Sequence, residues 1–118
     1  MPISTITHQG KEIVYVDYSP CKTEEERFDV LQQTANHLIK HPGGALVLAN
    51  FTGQFGRREF MNKAKELEAK YGHNVAKRAV IGVDGLKKVL LMGFNRFSQS
   101  KKSVPFDTRA EALEYLTT

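Results

Sequence analysis

The chain has 118 residues, 41% of them hydrophobic and 25% charged, with a formal net charge of +4. That amount of apolar material serves one core, so a single domain over residues 1–118 is expected, and no run approaches the ~20 apolar residues of a membrane span. Met1–His8 lacks a basic stretch followed by an apolar one, so cytoplasmic residence without membrane insertion is expected, and the single cysteine, Cys21, excludes an internal disulfide and a cysteine-based zinc cluster.

Ile3–His8 and Lys11–Ser19 are β-rich runs on either side of Gln9-Gly10, which predicts a hairpin with glycine supplying a positive φ. Ile13 and Tyr15 alternate with Val14, Val16 and Tyr18, so the second strand is apolar on both faces and belongs in the sheet interior. Thr23 and Glu26 form a capping box, in which hydroxyl and carboxylate satisfy each other's free amides at a helix start. Phe28, Leu31, Ala35, Leu38 and Ile39 then share one helical face, and Pro42-Gly43-Gly44 stops the helix.

Ala45–Ala49 reads as a short buried strand, and Asn50 to Gly56 as its connection. Phe60, Ala64, Leu67 and Tyr71 recur at helical spacing, with Gly72 placed just past the end. Ala79–Val83 is the next strand. Asp84 can cap a third helix with Leu86, Val89, Leu90, Gly93, Phe94 and Phe97 inward, while Leu91 and Met92 widen its apolar arc and mark an interface. Val104–Phe106 is an edge strand because Pro105 cannot donate to a ladder, and Thr108 with Glu111 caps a final helix carrying Ala112, Leu113 and Leu116. The fold class expected is α/β: a β-hairpin followed by βα units, with a mixed, mostly parallel sheet of about five strands and four helices.

Four stretches resemble the STAS domain, in its small SpoIIAA-like branch related to anti-sigma-factor antagonists. They are Tyr15-Val16-Asp17-Tyr18-Ser19, Val47-Leu48-Ala49-Asn50-Phe51-Thr52-Gly53, Val83-Asp84-Gly85-Leu86-Lys87-Lys88 and Phe106-Asp107-Thr108-Arg109-Ala110-Glu111-Ala112-Leu113. The resemblance implies that fold over nearly the whole chain and a role in binding a protein partner. Antagonists of this kind are switched by phosphorylation of a serine beside an aspartate after the third strand. The matching stretch here, Thr52 to Glu59, contains no Asp-Ser pair, so the switch is not carried over.

Ligands of open α/β sheets favour the crevice beyond the carboxyl ends of the strands. Asn50, Thr52, Gly53, Arg57, Arg58, Asp84 and Lys87 would gather there, where helix starts favour an anion; turn formation and helix capping account for the same residue types. Gly53 and Gly56 lack the lysine and hydroxyl residue of a phosphate loop. The bases Lys77, Arg78, Lys87, Lys88, Arg96, Lys101 and Lys102 lack interleaved exposed aromatics, so a solvated face rather than nucleic-acid binding is expected. His37 and His41 have metal-ligand spacing but no third ligand nearby, and Cys21 has no adjacent base; no metal, cofactor or catalytic set is predicted.

The sequence therefore points to a non-enzymatic, STAS-like regulatory or interaction module. Its partner would be another protein or a second copy forming a homodimer, met through Leu91, Met92 and the strand-end loops. The alternative is a small-molecule carrier: STAS domains resemble Sec14-type lipid-binding domains in sheet and helix arrangement, so a small apolar or anionic ligand or a lipid could sit between helices and sheet.

Overall fold

The computed structural model describes residues 3–41, 43–54, 58–83 and 103–118. Within them the strands are β1 (Ile3–His8), β2 (Lys11–Asp17), β3 (Ala45–Asn50), β4 (Val75–Ile81) and β5 (Ser103–Phe106). The helices are α1 (Glu24–Lys40), α2 (Arg58–Tyr71) and α3 (Arg109–Thr117), with a 3-10 turn at Gly72–Asn74. The third of the four helices expected, from Asp84 onward, lies outside the described residues.

All five strands form one sheet in the order β1-β2-β3-β4-β5. Gln9 and Gly10 take φ values of 50° and 76°, the left-handed pair that matches a two-residue hairpin turn to strand twist, and they close an antiparallel ladder from Ile3↔Val16 to His8↔Lys11. Every other pairing is parallel. β2 sits between β1 and β3, the interior place its two apolar faces require, and β5 pairs with β4 alone, which leaves Pro105 on an edge.

Each face of the sheet has its own core. Val14, Val16, Val47, Ala49 and Val80 face α1 and α2, joined by Val30, Leu38 and Phe60 from those helices. Ile13, Leu48, Ala79 and Ile81 face the other way, with Ala112 and Leu116 of α3. Both capping boxes are formed: the Glu26 amide donates to Thr23 Oγ1 at 3.1 Å, and the Glu111 amide to Thr108 Oγ1 at 3.2 Å. At the far end of α1, buried Asn74 donates its side-chain amide at 2.7 Å to the Leu38 carbonyl, which also accepts from the His41 amide at 3.3 Å.

Three local expectations need correction. Ile39 is 46% exposed, and Val30 takes the buried place on α1 instead. β4 begins at Val75 rather than Ala79, because the Val75–Arg78 stretch pairs with β3 through a bulge beside Ala45 and Leu46. Lys77 and Arg78 are consequently not a solvated pair. Lys77 turns to the α3 side, where Nζ donates to the carbonyls of Tyr115 and Thr118 at 3.2 and 3.1 Å and lies 5.2 Å from the Tyr115 ring centre. Arg78 turns to the α1/α2 side.

Gly82 ends β4 at φ +81°, where a Cβ would run into the Thr52 backbone nitrogen. Gly53 has a similar φ of +75° but open space around it. Gly82→Ala should therefore cost about 3 kcal/mol and Gly53→Ala about 1 kcal/mol, measured by urea denaturation, because the first adds a backbone clash to the left-handed penalty. Equal losses would refute the close approach.

Candidate functional site

The strand-end residues singled out by the sequence are partly assembled. Asn50 closes β3; its side-chain amide donates to Tyr15 Oη at 2.9 Å, and its Oδ1 accepts from the Thr52 amide at 3.0 Å and the Thr52 hydroxyl at 2.6 Å. Tyr15 in turn lies under the Arg109 guanidinium, 5.0 Å from its ring centre. The Asn50 side chain thus shapes a turn and ties it to the α3 face of the sheet. Thr52 and Gly53 are exposed in that turn, and Arg58 is exposed at the first residue of α2. Arg57, Asp84 and Lys87, like Leu91 and Met92, lie outside the described residues.

An apolar concavity lies elsewhere, between the sheet and the pair α1 and α2. It is a cavity of about 150 Å³, walled by Val16, Val47, Ala49 and Val80 from the strands, Leu31, Ala35 and Leu38 from α1, and Phe60, Ala64 and Leu67 from α2. Space remains because small residues meet there: Ala35, Ala49 and Ala64 stand on three different elements around one void. Apolar cavities of this order stay dry and accept a benzene-sized guest.

Aromatic rings crowd one end of the cavity. Tyr18 stacks on Phe51 with ring centres 4.3 Å apart, and Phe60 meets both edge-on at 5.7 and 5.8 Å. Buried Gln54 braces the loops beside these rings. Its Nε2 donates to the carbonyls of Ser19 and Cys21 at 3.2 and 3.0 Å, while Oε1 accepts from Arg27 of α1 at 2.9 Å. The β2–α1 and β3–α2 connections are thereby fastened to each other and to α1.

Polar groups enter the cavity wall at few points. Arg78 of β4 and Glu68 of α2 form an ion pair, Nη1 to Oε2 at 2.8 Å, with side chains only 13% and 7% exposed. Ser103, register partner of Arg78 on β5, is buried in the same wall. Burial pushes the Tyr18 phenol above its ordinary range; Arg78 pulls the other way but does not prevail. The Thr34 hydroxyl, in the same wall, donates to the Val30 carbonyl at 2.9 Å. Cys21 is buried and its thiol is likewise pushed up, by burial first and then by Glu26. A thiol held protonated is a poor nucleophile.

Sequence reasoning reaches Tyr18 as a strand residue and Arg78 as a solvated base, and gives Glu68, Gln54 and Ser103 no part in a site. Two signals pointed to them. Glu68 follows Leu67 on the face that carries Phe60, Ala64 and Tyr71, and Arg78 precedes an all-apolar strand end. A charge on an apolar face at each of two positions is the pattern of a buried pair.

His37 and His41 stack near the end of α1 with ring centres 4.4 Å apart. Among the described residues no group of three metal-ligating side chains forms, so the pair holds no recognisable metal site there.

No protein-family model and no curated protein matches the chain. A solved structure does: an uncharacterized protein of the DUF3478 family from Shewanella loihica PV-4, described as having a SpoIIAA-like fold. The two share a TM-score of 0.71 at 18% identity, over 97% of this chain and 91% of that one. At that identity the likeness is one of architecture, and it agrees with what the strand and turn sequences resemble: this chain has a SpoIIAA-like fold.

Two measurements follow from the site's electrostatics. Arg78→Met alone should cost about 3 kcal/mol by removing a close partner of the buried Glu68 carboxylate, whereas Arg78→Met with Glu68→Leu should restore part of that loss, measured by denaturant melts. His37 has its pKa lowered, first by burial and then by His41, with Lys40 adding to the effect and Glu12 opposing it. Its folded form resists a proton that the unfolded chain accepts, so stability must fall as pH drops below about 6.5. The melting temperature of His37→Gln should accordingly fall less than that of the parent between about pH 7 and 5.5.

Proposed function

We propose that this SpoIIAA-like module is a non-enzymatic binding protein whose interior cavity takes up a small, mostly apolar molecule. The cavity carries the reading: about 150 Å³ bounded by α1, α2 and the inner face of the sheet, with an apolar lining interrupted by few polar groups. That is the composition of a ligand pocket, in which apolar walls supply affinity and sparse polar groups supply orientation. The volume suits a compact guest rather than a long acyl chain. A non-enzymatic role is supported by Cys21 and Tyr18, two buried groups of nucleophilic type that are both shifted away from their reactive forms.

A regulatory, partner-binding role has the support of the fold alone, since Leu91 and Met92, on which that expectation rested, lie outside the described residues. The two roles are compatible, because a guest inside the core can alter the surface a partner meets.

Native mass spectrometry of freshly purified protein, followed by thermal melts with and without toluene, tests the cavity reading. The expected result is a retained small mass or a toluene-dependent rise in melting temperature, abolished in Ala35→Leu and in Ala49→Val, which fill the void from opposite sides. A chain that carries nothing, is indifferent to toluene and melts like its cavity-filled variants would refute it.

A further inference from the structure

Resting on that reading, we infer that the guest presents a single aromatic ring, seated against Tyr18, Phe51 and Phe60 at one end of the cavity. Much of the wall is aliphatic, with Val16, Val47 and Val80 from the strands and Leu31, Leu38 and Leu67 from the helices. Such a wall rewards any apolar guest in proportion to the area it removes from water, and does not tell one carbon skeleton from another. Discrimination between skeletons falls to the rings.

Those rings stand in two orientations. Tyr18 and Phe51 are nearly parallel, 17° apart in plane with centres 4.3 Å apart, and Phe60 crosses them at 90° and 76°. All of them line the cavity. An aromatic ring is negative on its face and positive around its edge, so rings attract in offset-stacked or edge-to-face arrangements. A wall that holds rings at right angles offers such a partner to a guest ring lying parallel to either set. Each ring pair adds about two- to tenfold in affinity beyond the area buried. A saturated ring has no such face and gains nothing there. Met61 and Tyr71 of α2 extend the same preference, since they bring a thioether and a further ring into the wall. Size sets the rest of the class, because about 150 Å³ accepts one benzene-sized ring. The ligand class is a monocyclic arene, as distinct from a cycloalkane or an acyl chain.

The test is an NMR titration of the intact chain with toluene and with methylcyclohexane, which share one carbon skeleton. Methylcyclohexane is the less soluble in water, so area burial alone ranks it first, whereas recognition by rings ranks toluene first. Toluene should bind at least about threefold more tightly, with nuclear Overhauser contacts to the ring protons of Phe51 and Phe60. In Phe51→Leu that advantage should shrink by at least about threefold, while Leu31→Ala, which opens the aliphatic wall, should leave it unchanged. Methylcyclohexane binding as tightly as toluene in the parent chain would overturn the inference and leave the cavity reading standing. So would an advantage that survives Phe51→Leu intact or shrinks equally in Leu31→Ala. Binding of neither guest would overturn both. The parent comparison decides by itself if a variant does not fold.

Discussion

The contact between Arg78 and Glu68 sets how α2 sits on the sheet. Elsewhere the helices meet the strands through side chains of ordinary apolar reach, such as Leu38, Val47 and Phe60. At this point two long side chains meet head to head, one from each layer, at 2.8 Å. With alanines on three neighbouring elements, the layers around that bridge leave a space that their side chains do not fill. The ion pair is thus as much a spacer as a bond, and the aromatic cluster of Tyr18, Phe51 and Phe60 supports one end of the same gap.

Stability alone is a weak reason for such a pair. Withdrawing a guanidinium and a carboxylate from water costs several kcal/mol each, and well-packed apolar residues of similar volume commonly do as well or better. A cavity beside it adds lost dispersion contacts to the account. Two unfavourable features placed together in a small core are what a binding site looks like from the energetic side, since a site trades packing for a guest.

How much of this was legible in the residues depends on the range of the physics involved. Capping boxes at Thr23 and Thr108, the Gln9-Gly10 turn and the edge position of Pro105 are decided within a few residues, and local sequence states them. Lys77 and Arg78 look like surface in the sequence, which places the start of β4 at Ala79. In the sheet each is absorbed by a different layer, Lys77 against the end of α3 and Arg78 against α2, and that division requires knowing what packs on either side. Asn50 shows the converse: its residue type was recognised as turn-forming, but its bond to Tyr15 crosses 35 residues of chain. The cavity itself depends on Ala35, Ala49 and Ala64 converging, and nothing in their local patterns announces it.

The strand order bears on why an apolar cavity lies between helices and sheet rather than at the rim. Crevices at strand ends open where the order of a parallel sheet reverses and successive helices part to opposite faces. From β2 through β3 to β4 the order runs without reversal, and α1 and α2 line one cavity on one face. Asn50 and Gln54 then close the strand-end loops with hydrogen bonds of their own, to Tyr15 and Thr52 and to Arg27, Ser19 and Cys21. With the rim stitched and the helices side by side, unfilled volume collects beneath them, where small residues and a charged strut keep the layers from closing.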